Sequence, residues 1–243
     1  MYSIETKSLT KKYKDKIVVS NLNLKIKEGE LFSLLGTNGA GKTTTIKMLS
    51  SLIVPTEGDI IIDKFDMKKN KQKIKEIINI SPQVTSLAPN LTVRENLEFI
   101  AGVYQINNKE QKIKELVDMF DLSKIMDQKA KTLSGGWQRK LSIAMSLIND
   151  PKILFLDEPT LGLDVISRKE LWKIIESKKG KMTIILTTHY MEEAEHLSDK
   201  IGIIVDGILL DEDTPKALKE KTKTNTLEDA FVKIATGGKI WGQ

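Results

Sequence analysis

The sequence GTNGAGKT, which begins at Gly36, has the residue types and spacing of a phosphate-binding loop. Gly36, Gly39 and Gly41 permit turns in which successive backbone N–H groups face an anion. The residues after the loop predict a helix whose first N–H groups face the same anion. We therefore expect Lys42 to reach the β- and γ-phosphates of a nucleotide, and Thr43 to bind Mg²⁺. The alternative is a plain glycine turn between a strand and a helix.

A second stretch that could do chemistry is ILFLDEPT, residues 153–160. It places Asp157 and Glu158 at the end of a predicted buried strand, where an unpaired carboxylate would be costly. We expect Asp157 to hold Mg²⁺, through a water molecule, and Glu158 to orient or activate an attacking water. The alternative is an Asp-Glu pair that caps the turn before Pro159.

The segments that must position these residues alternate between strand and helix patterns. IETKSL, LNLKIKEGE, ELFSLLG, GDIIID and EIINIS predict strands in the first part of the chain, and KTTTIKMLSSL predicts a helix. The segments KILFLD and MTIILTT are almost wholly apolar, which is typical of buried parallel strands. IGIIVDGILL predicts two strands joined by a turn.

Between these strand-rich parts, amphipathic spacing predicts at least three helices, in LTVRENLEFIAGVYQI, QKIKELVDMFDL and GWQRKLSIAMSLI. We therefore predict one α/β domain. Its strand-rich core includes antiparallel N-terminal strands and encloses a helical insertion. The core covers about 1–84 and 150–213, and the helical subdomain about 85–149. A C-terminal helical tail covers about 214–243, with two short helices and a frayed end that includes Trp241.

Composition excludes several classes of protein. The chain of 243 residues has no cysteine, so disulfides and cysteine metal sites are excluded. No run of about 18 apolar residues exists, and the N-terminus has no signal-peptide pattern, so we expect neither a transmembrane segment nor a signal. The net charge is +5, but the lysines are dispersed and not interleaved with aromatic residues, so no nucleic-acid partner is expected.

Taken in order, GTNGAGKT, ISPQ, LSGG, ILFLDEPTLGLD and TTHY resemble the ATP-binding subunit of ABC transporters. The resemblance covers residues from about 2 to 236. LSGG is the specific part, because a phosphate-binding loop alone would fit many nucleotide-binding proteins. The resemblance implies an α/β fold with a P-loop NTPase (RecA-like) core, an N-terminal antiparallel β subdomain and a helical insertion. It also implies ATP and Mg²⁺ as cofactors.

In that family two ATPase subunits close face to face over two ATP molecules. The resemblance implies that Ser134, Gly135 and Gly136 of one subunit contact the γ-phosphate bound by the other. Ser134 would donate a hydrogen bond, and the glycines would allow close backbone approach. The alternative is that Ser134 is a plain helix N-cap.

The family pattern assigns the remaining positions one by one. Tyr13 would stack on adenine, and Gln83 would contact Mg²⁺ and the attacking water. Asp164 would lie at the subunit interface, and His189 would contact the γ-phosphate. The alternatives are that Tyr13 is simply a tyrosine on a strand face and that His189 is a structural histidine. The full set of expected ATP contacts within one subunit is Tyr13, Gly36, Asn38, Gly39, Ala40, Gly41, Lys42, Thr43, Thr44 and Gln83. Lys42, Glu158 and His189 are the expected catalytic residues, and Thr43, Gln83 and Asp157 the expected metal site.

One position departs from the family pattern. Trp137 follows LSGG, where the family most often has glutamine, and its indole has one donor and more bulk. The stretches LTVRENLEF, TTHYMEEAE and TLEDAFVKIATG resemble the drug- and polysaccharide-exporter branch.

The resemblance implies an ATPase at the cytoplasmic face of the cell membrane, attached peripherally to a separate membrane-spanning permease. The second ATPase of the pair would be another copy of this chain or a related subunit. The alternative is a soluble ABC ATPase that acts on ribosomes or DNA, but such proteins usually carry two ATPase domains or a long coiled-coil insertion. A P-loop kinase or nucleotide switch is disfavoured by LSGG, Gln83 and His189.

Overall fold

The computed structural model describes residues 1–237, so the predicted frayed end with Trp241 lies outside the described residues. Strands and helices are each numbered in chain order. The strands are β1 Tyr2–Tyr13, β2 Lys16–Leu22, β3 Lys25–Lys27, β4 Leu31–Leu35, β5 Glu57–Ile62, β6 Phe65–Asp66, β7 Ile78–Ser81, β8 Ile153–Asp157, β9 Thr183–Thr188, β10 Lys200–Val205 and β11 Ile208–Asp213.

A six-stranded sheet forms the centre of the protein, in the order β11-β10-β4-β9-β8-β7. The pairs from β10 to β7 are parallel, and β11 joins the edge antiparallel to β10. Every residue of β4, β8 and β9 is buried, as their apolar sequences require when both faces of a parallel sheet are covered. The parallel arrangement brings the carboxyl ends of β4, β8 and β9 to one edge.

A second sheet is antiparallel and comes from the N-terminal part of the chain. Its order is β2-β1-β5-β6, and β3 pairs with the other half of the long strand β1. The two sheets together confirm the predicted fold class.

The helices are α1 Lys42–Leu49, α2 Lys71–Ile77, α3 Val93–Val103, α4 Lys109–Phe120, α5 Gly135–Ser146, α6 Val165–Glu176, α7 Met191–Leu197, α8 Pro215–Thr222 and α9 Leu227–Ala235. The structure confirms the helices that were predicted in the insertion and in the tail. It adds α2, α6 and α7, which the sequence patterns did not predict. The strand predicted over EIINIS begins only at Ile78, because Glu76 and Ile77 complete α2.

Side-chain caps fix where several helices begin. Thr92 and Glu95 form a reciprocal capping box at the start of α3. Asp164 caps α6 by accepting hydrogen bonds from two backbone N–H groups. Thr214 caps α8, and Pro215 at its first position has the required backbone angle without needing an N–H partner.

Three apolar clusters hold these layers together. The largest joins the helical insertion, α6 and one face of the parallel sheet, and includes Phe120 and Trp172. A second packs the antiparallel sheet and α1 on the central strands. The third attaches α7 and the C-terminal helices through Leu218 and Phe231. Among residues 1–237, no helix has the length and apolar character needed to cross a membrane.

Candidate functional site

The glycine-rich loop connects β4 to α1 and is fixed by neighbouring backbone. The Gly36 N–H donates to the Thr188 carbonyl at 3.3 Å, and the Gly207 N–H donates to the Ala40 carbonyl at 3.0 Å. Gly41 has φ of +100°, and a Cβ there would lie 2.6 Å from the Val18 carbonyl oxygen. Glycine is therefore required at this position by both conformation and space.

Lys42 is almost fully buried at the start of α1. Its Nζ donates to the carbonyl oxygens of Gly36 and Thr37 at 2.8 and 3.0 Å. It also lies 3.3 Å from Glu158 Oε1, in an ion pair whose two side chains are 4% and 7% exposed. Pairing and hydrogen bonding together make a buried ammonium group tolerable. The cation is thus held within the glycine-rich loop.

Asp157 joins the end of β8 to the loop and to β9. Its Oδ1 accepts hydrogen bonds from Thr43 Oγ1 at 3.1 Å and from Thr187 Oγ1 at 2.5 Å. Thr43 and Asp157, two of the three residues predicted to bind metal, are therefore adjacent. Thr187 was not predicted, although its place at the end of an apolar strand beside β8 is a signal that could have identified it.

Glu158 lies at the centre of the predicted catalytic group. Gln83 Nε2 donates to its Oε2 at 3.4 Å, and His189 Nδ1 lies 3.3 Å from the same oxygen, without the alignment of a hydrogen bond. Its backbone N–H is bound to the carbonyl and hydroxyl oxygens of Thr187. The residue has φ of +47°, in the left-handed region that a side chain of this size rarely occupies. Such strain persists where the surroundings determine the conformation.

Arg139 supports this group and was not predicted. Its guanidinium donates to the carbonyl oxygens of Pro82, at 2.7 Å, and Gln83, at 2.5 Å, so that α5 fixes the segment that carries Gln83. Burial lowers the pKa of Arg139, and the charges of Asp157 and Glu158 oppose that effect. Through these two hydrogen bonds, Arg139 links α5, the helix that follows LSGG, to the segment that carries Gln83.

A cavity of about 300 Å³ opens in front of the loop, within the size range of small-ligand sites. Its lining consists of Val18, Asn38, Gly39, Gly41, Lys42, Thr43, Thr44, Gln83 and Glu158. Val18 was not predicted. Gly36, Ala40 and Tyr13 are not part of the lining, and Tyr13 is 47% exposed at the end of β1, with Lys11 Nζ 4.9 Å from its ring centroid.

Ser134, Gly135 and Gly136 line a different cavity, of about 400 Å³, together with Asp164 and other residues of the segment before α6. Ser134 occupies the N-cap position of α5, but its side chain makes no capping hydrogen bond. Ser134 therefore has the position of a cap but lacks the side-chain hydrogen bond of a plain cap. Within one chain, the LSGG segment and the glycine-rich loop line separate cavities.

Trp137 packs partly buried on the largest apolar cluster. Lys140 Nζ lies 4.5 Å from its ring centroid and is itself paired with Glu170 at 2.8 Å. A cation at this distance from an indole is attracted by the face of the ring. The tryptophan is thus accommodated by its own helix and does not project freely from the LSGG segment.

The fold and this arrangement of residues define a P-loop ATPase. The family model described as ABC transporter matches residues 19–161, more than half of the chain. The chain belongs to the ABC transporter family, and the domain described above is that family's ATP-binding domain.

Two proteins of similar sequence are named as ATP-binding proteins. The chain is 40% identical over 239 residues to the probable multidrug ABC transporter ATP-binding protein YbhF of Escherichia coli (strain K12), covering 95% of this chain and 41% of that protein. It is 39% identical over 221 residues to Nod factor export ATP-binding protein I of Burkholderia orbicola. That match covers 89% of this chain and 72% of that protein. The chain thus spans less than half the length of the first of these relatives.

Solved structures agree with this assignment. An ATP-binding subunit of an ABC transporter superposes with a TM-score of 0.86 at 26% identity, covering 95% of this chain and 98% of the other. A dimeric ATP-binding cassette in a post-hydrolysis state, bound to ADP and Pi, superposes with a TM-score of 0.80 at 29% identity. That match covers 87% of this chain and 98% of the other.

Proposed function

We propose that the chain binds ATP with Mg²⁺ and hydrolyses it to drive an ABC transporter that exports its substrate. The observation that carries the proposal is the position of Glu158. Its carboxylate lines the cavity in front of the glycine-rich loop and lies within 3.4 Å of Lys42, Gln83 and His189. A carboxylate with these neighbours suits a residue that orients water beside a bound phosphate.

The residues present fit ATP and its metal ion. The backbone of the glycine-rich loop and Lys42 would hold the phosphates, and the exposed Tyr13 would contact adenine. Thr43 and Asp157 share a hydrogen bond and would hold Mg²⁺ together with Gln83. In residues 1–237, no three Cys, His, Asp or Glu side chains form a metal cluster. Mg²⁺ typically takes few protein ligands and completes its shell with phosphate and water, so the donor set suits it.

In the reaction, Glu158 orients the attacking water in line with the γ-phosphate, and His189 stabilises the charge of the leaving group. Lys42 neutralises phosphate oxygens. Mg²⁺, when bound, supplies further neutralisation of the developing charge. Catalysis of this kind depends on positioning and electrostatics, for which residues fixed at strand ends are well suited.

The LSGG segment completes the site in trans. Ser134 has a hydroxyl without a capping bond, and the positive end of α5 lies directly after it. Because its cavity is separate from that of the glycine-rich loop, a second copy of the chain, or a related subunit, supplies LSGG to the first chain's nucleotide.

A separate membrane-spanning permease is the proposed partner, and the chain would act at the cytoplasmic face of the membrane. Val84, next to Gln83, is 81% exposed. Phe99 and Val103, one turn apart on α3, are also largely exposed. Val84, beside Gln83, would couple hydrolysis to movement of the permease, and Phe99 and Val103 would extend the apolar contact. The name of the Nod factor export relative supports export as the direction.

Replacement of Glu158 by glutamine tests this function. The amide keeps the shape but loses the charge that orients water, so Glu158→Gln should bind ATP normally and release phosphate at least about a hundredfold more slowly. Phosphate release and equilibrium binding of fluorescent ATP are the measurements. Glu192→Gln, at an exposed carboxylate on α7, is the matched control. Near-normal turnover by Glu158→Gln would exclude Glu158 from the proposed role.

A further inference from the structure

Glu193 is a fully buried carboxyl group with no part in the mechanism above. It lies in the first turn of α7, four residues after His189. Its Oε1 accepts a hydrogen bond from Thr160 Oγ1 at 2.7 Å and another from Trp172 Nε1 at 3.0 Å. One oxygen therefore joins three separate segments of the chain.

The surroundings of Glu193 disfavour its charged form. In the described part of the chain its Oε2 makes no well-formed hydrogen bond, and Thr188 at the end of β9 is a further polar neighbour that acts to lower the pKa. The charge that faces it is Arg168 on α6, while β4 and β9, which also pack on α7, carry no charged residue. The other charged side chains of α6, α7 and α9 are exposed. Burial raises the pKa of Glu193, against the effect of its hydrogen bonds and of Arg168.

Two of these three segments, the turn at Thr160 and α7, lie next to the two residues nearest the proposed reaction, Glu158 and His189. Thr160 follows Glu158 by two residues, and α7 begins two residues after His189. The turn at Glu158 is otherwise tied to β9 through its backbone N–H and Thr187. Since Glu158 has a strained φ of +47°, the turn requires external contacts to persist. The Thr160–Glu193 hydrogen bond is such a contact.

We propose that Glu193 is a positioning residue for ATP hydrolysis, which fixes the Glu158 turn against the helix that follows His189. The inference rests on the proposed function, because it concerns the same reaction. Glu193 itself is buried behind the turn and touches no reacting group. Its effect is on the geometry of Glu158 and His189, and so on the rate of the chemical step and not on the affinity for ATP.

Steady-state ATP hydrolysis by four variants tests the inference. Glu193→Leu removes both oxygens, and Thr160→Val removes the hydroxyl at nearly constant volume. We expect both to lower kcat by at least about tenfold with the KM for ATP within about threefold, since misplaced catalytic groups slow chemistry without loss of binding. Glu193→Gln retains an acceptor oxygen and should stay within about threefold of wild type. Glu195→Gln, an exposed glutamate two residues along α7, is the control.

The active fraction of each variant is obtained by titration of its ATP-binding sites, so that kcat refers to folded protein. Folded Glu193→Leu with wild-type kcat overturns the inference, as does Glu193→Gln that is as slow as Glu193→Leu. If Glu193→Leu fails to fold, Thr160→Val decides: wild-type kcat in that variant overturns the inference. A wild-type chain that binds ATP without turnover would instead overturn the proposed function.

Discussion

At the scale of the residue, the centre of the candidate site consists of two contacting pairs, Lys42 with Glu158 and Thr43 with Asp157. Lys42 and Thr43 follow from one eight-residue pattern, and Asp157 and Glu158 follow from an apolar strand with an acidic end. In the structure these residues are connected by direct contacts of 3.1 to 3.3 Å. Their roles remain a proposal that the variants test.

Gly41 offers a direct test of the loop. An added methyl would meet the Val18 carbonyl and occupy an unfavourable φ, so Gly41→Ala should lower the free energy of unfolding by about 1–3 kcal/mol. It should also weaken ATP binding at least about tenfold, because the loop backbone that faces the phosphates must shift. Urea denaturation and nucleotide titration measure both effects.

Gly102 in α3 provides the comparison for Gly41. A Cβ at Gly102 has no heavy atom within 4 Å, and the residue is in a helix. Gly102→Ala should therefore stabilise the protein by about 0.5–1 kcal/mol and leave ATP binding unchanged. Equal effects of the two substitutions would contradict the argument for Gly41.

Trp137 replaces the family's usual glutamine, and the structure gives a reason to expect a small effect. Its ring packs within its own subunit beneath Lys140, so its bulk is accommodated by α5. Trp137→Gln should change the ATPase rate by less than tenfold, measured as phosphate release. A change of a hundredfold or more would indicate that this position controls closure of the dimer.

At the scale of the element, the strand ends position the chemistry. Parallel pairing of β4, β9 and β8 brings the glycine-rich loop, His189 and the acidic pair to one edge of the sheet. Apolar strands were recognisable from sequence because both faces are buried. The short helix α7 was not, because it has only seven residues and its buried Glu193 interrupts the apolar pattern.

Attachment of α7 through a buried carboxyl whose pKa is raised predicts a pH effect on stability. The Glu193 pKa is raised on folding, so its contribution is fully present below the unfolded pKa of about 4.5 and decreases as the pH rises toward the folded value. The amide of Glu193→Gln does not ionise, so this variant lacks that pH dependence. The stability of wild type should therefore fall relative to Glu193→Gln above pH 4.5, by at most about 1.4 kcal/mol per pH unit.

Urea denaturation across pH measures that difference, with Glu195→Gln as the reference for an exposed glutamate on the same helix. Parallel stability curves for wild type and Glu193→Gln would mean that the buried carboxyl is ionised in the folded protein.

At the scale of the whole molecule, the glycine-rich loop and the LSGG segment belong to different cavities. The glycine-rich loop lines one of about 300 Å³, and LSGG lines another of about 400 Å³. A site that needs both requires a second chain. One solved structure on which this chain superposes is a dimeric ATP-binding cassette.

Dimerisation should accordingly depend on ATP and on Ser134. Glu158→Gln, which retains ATP, should form a dimer with Mg²⁺-ATP in light scattering. Adding Ser134→Arg to it should abolish the dimer while preserving ATP binding, because the added side chain fills the LSGG cavity and not the loop cavity. A Ser134→Arg chain that dimerises normally would contradict the proposed contact in trans.

Residue types and their spacing were sufficient to predict the glycine-rich loop, the acidic strand end, the order of the motifs and the α/β class. These depend on residue type and spacing along a continuous segment, which sequence displays directly. Three sets of hydrogen bonds became visible only in the folded chain. Thr187 donates to Asp157, Arg139 donates to the segment that carries Gln83, and Glu193 accepts from Thr160 and Trp172. Each of these contacts joins residues at least 21 positions apart, and burial there gives a polar side chain a role that its own neighbours in sequence do not indicate.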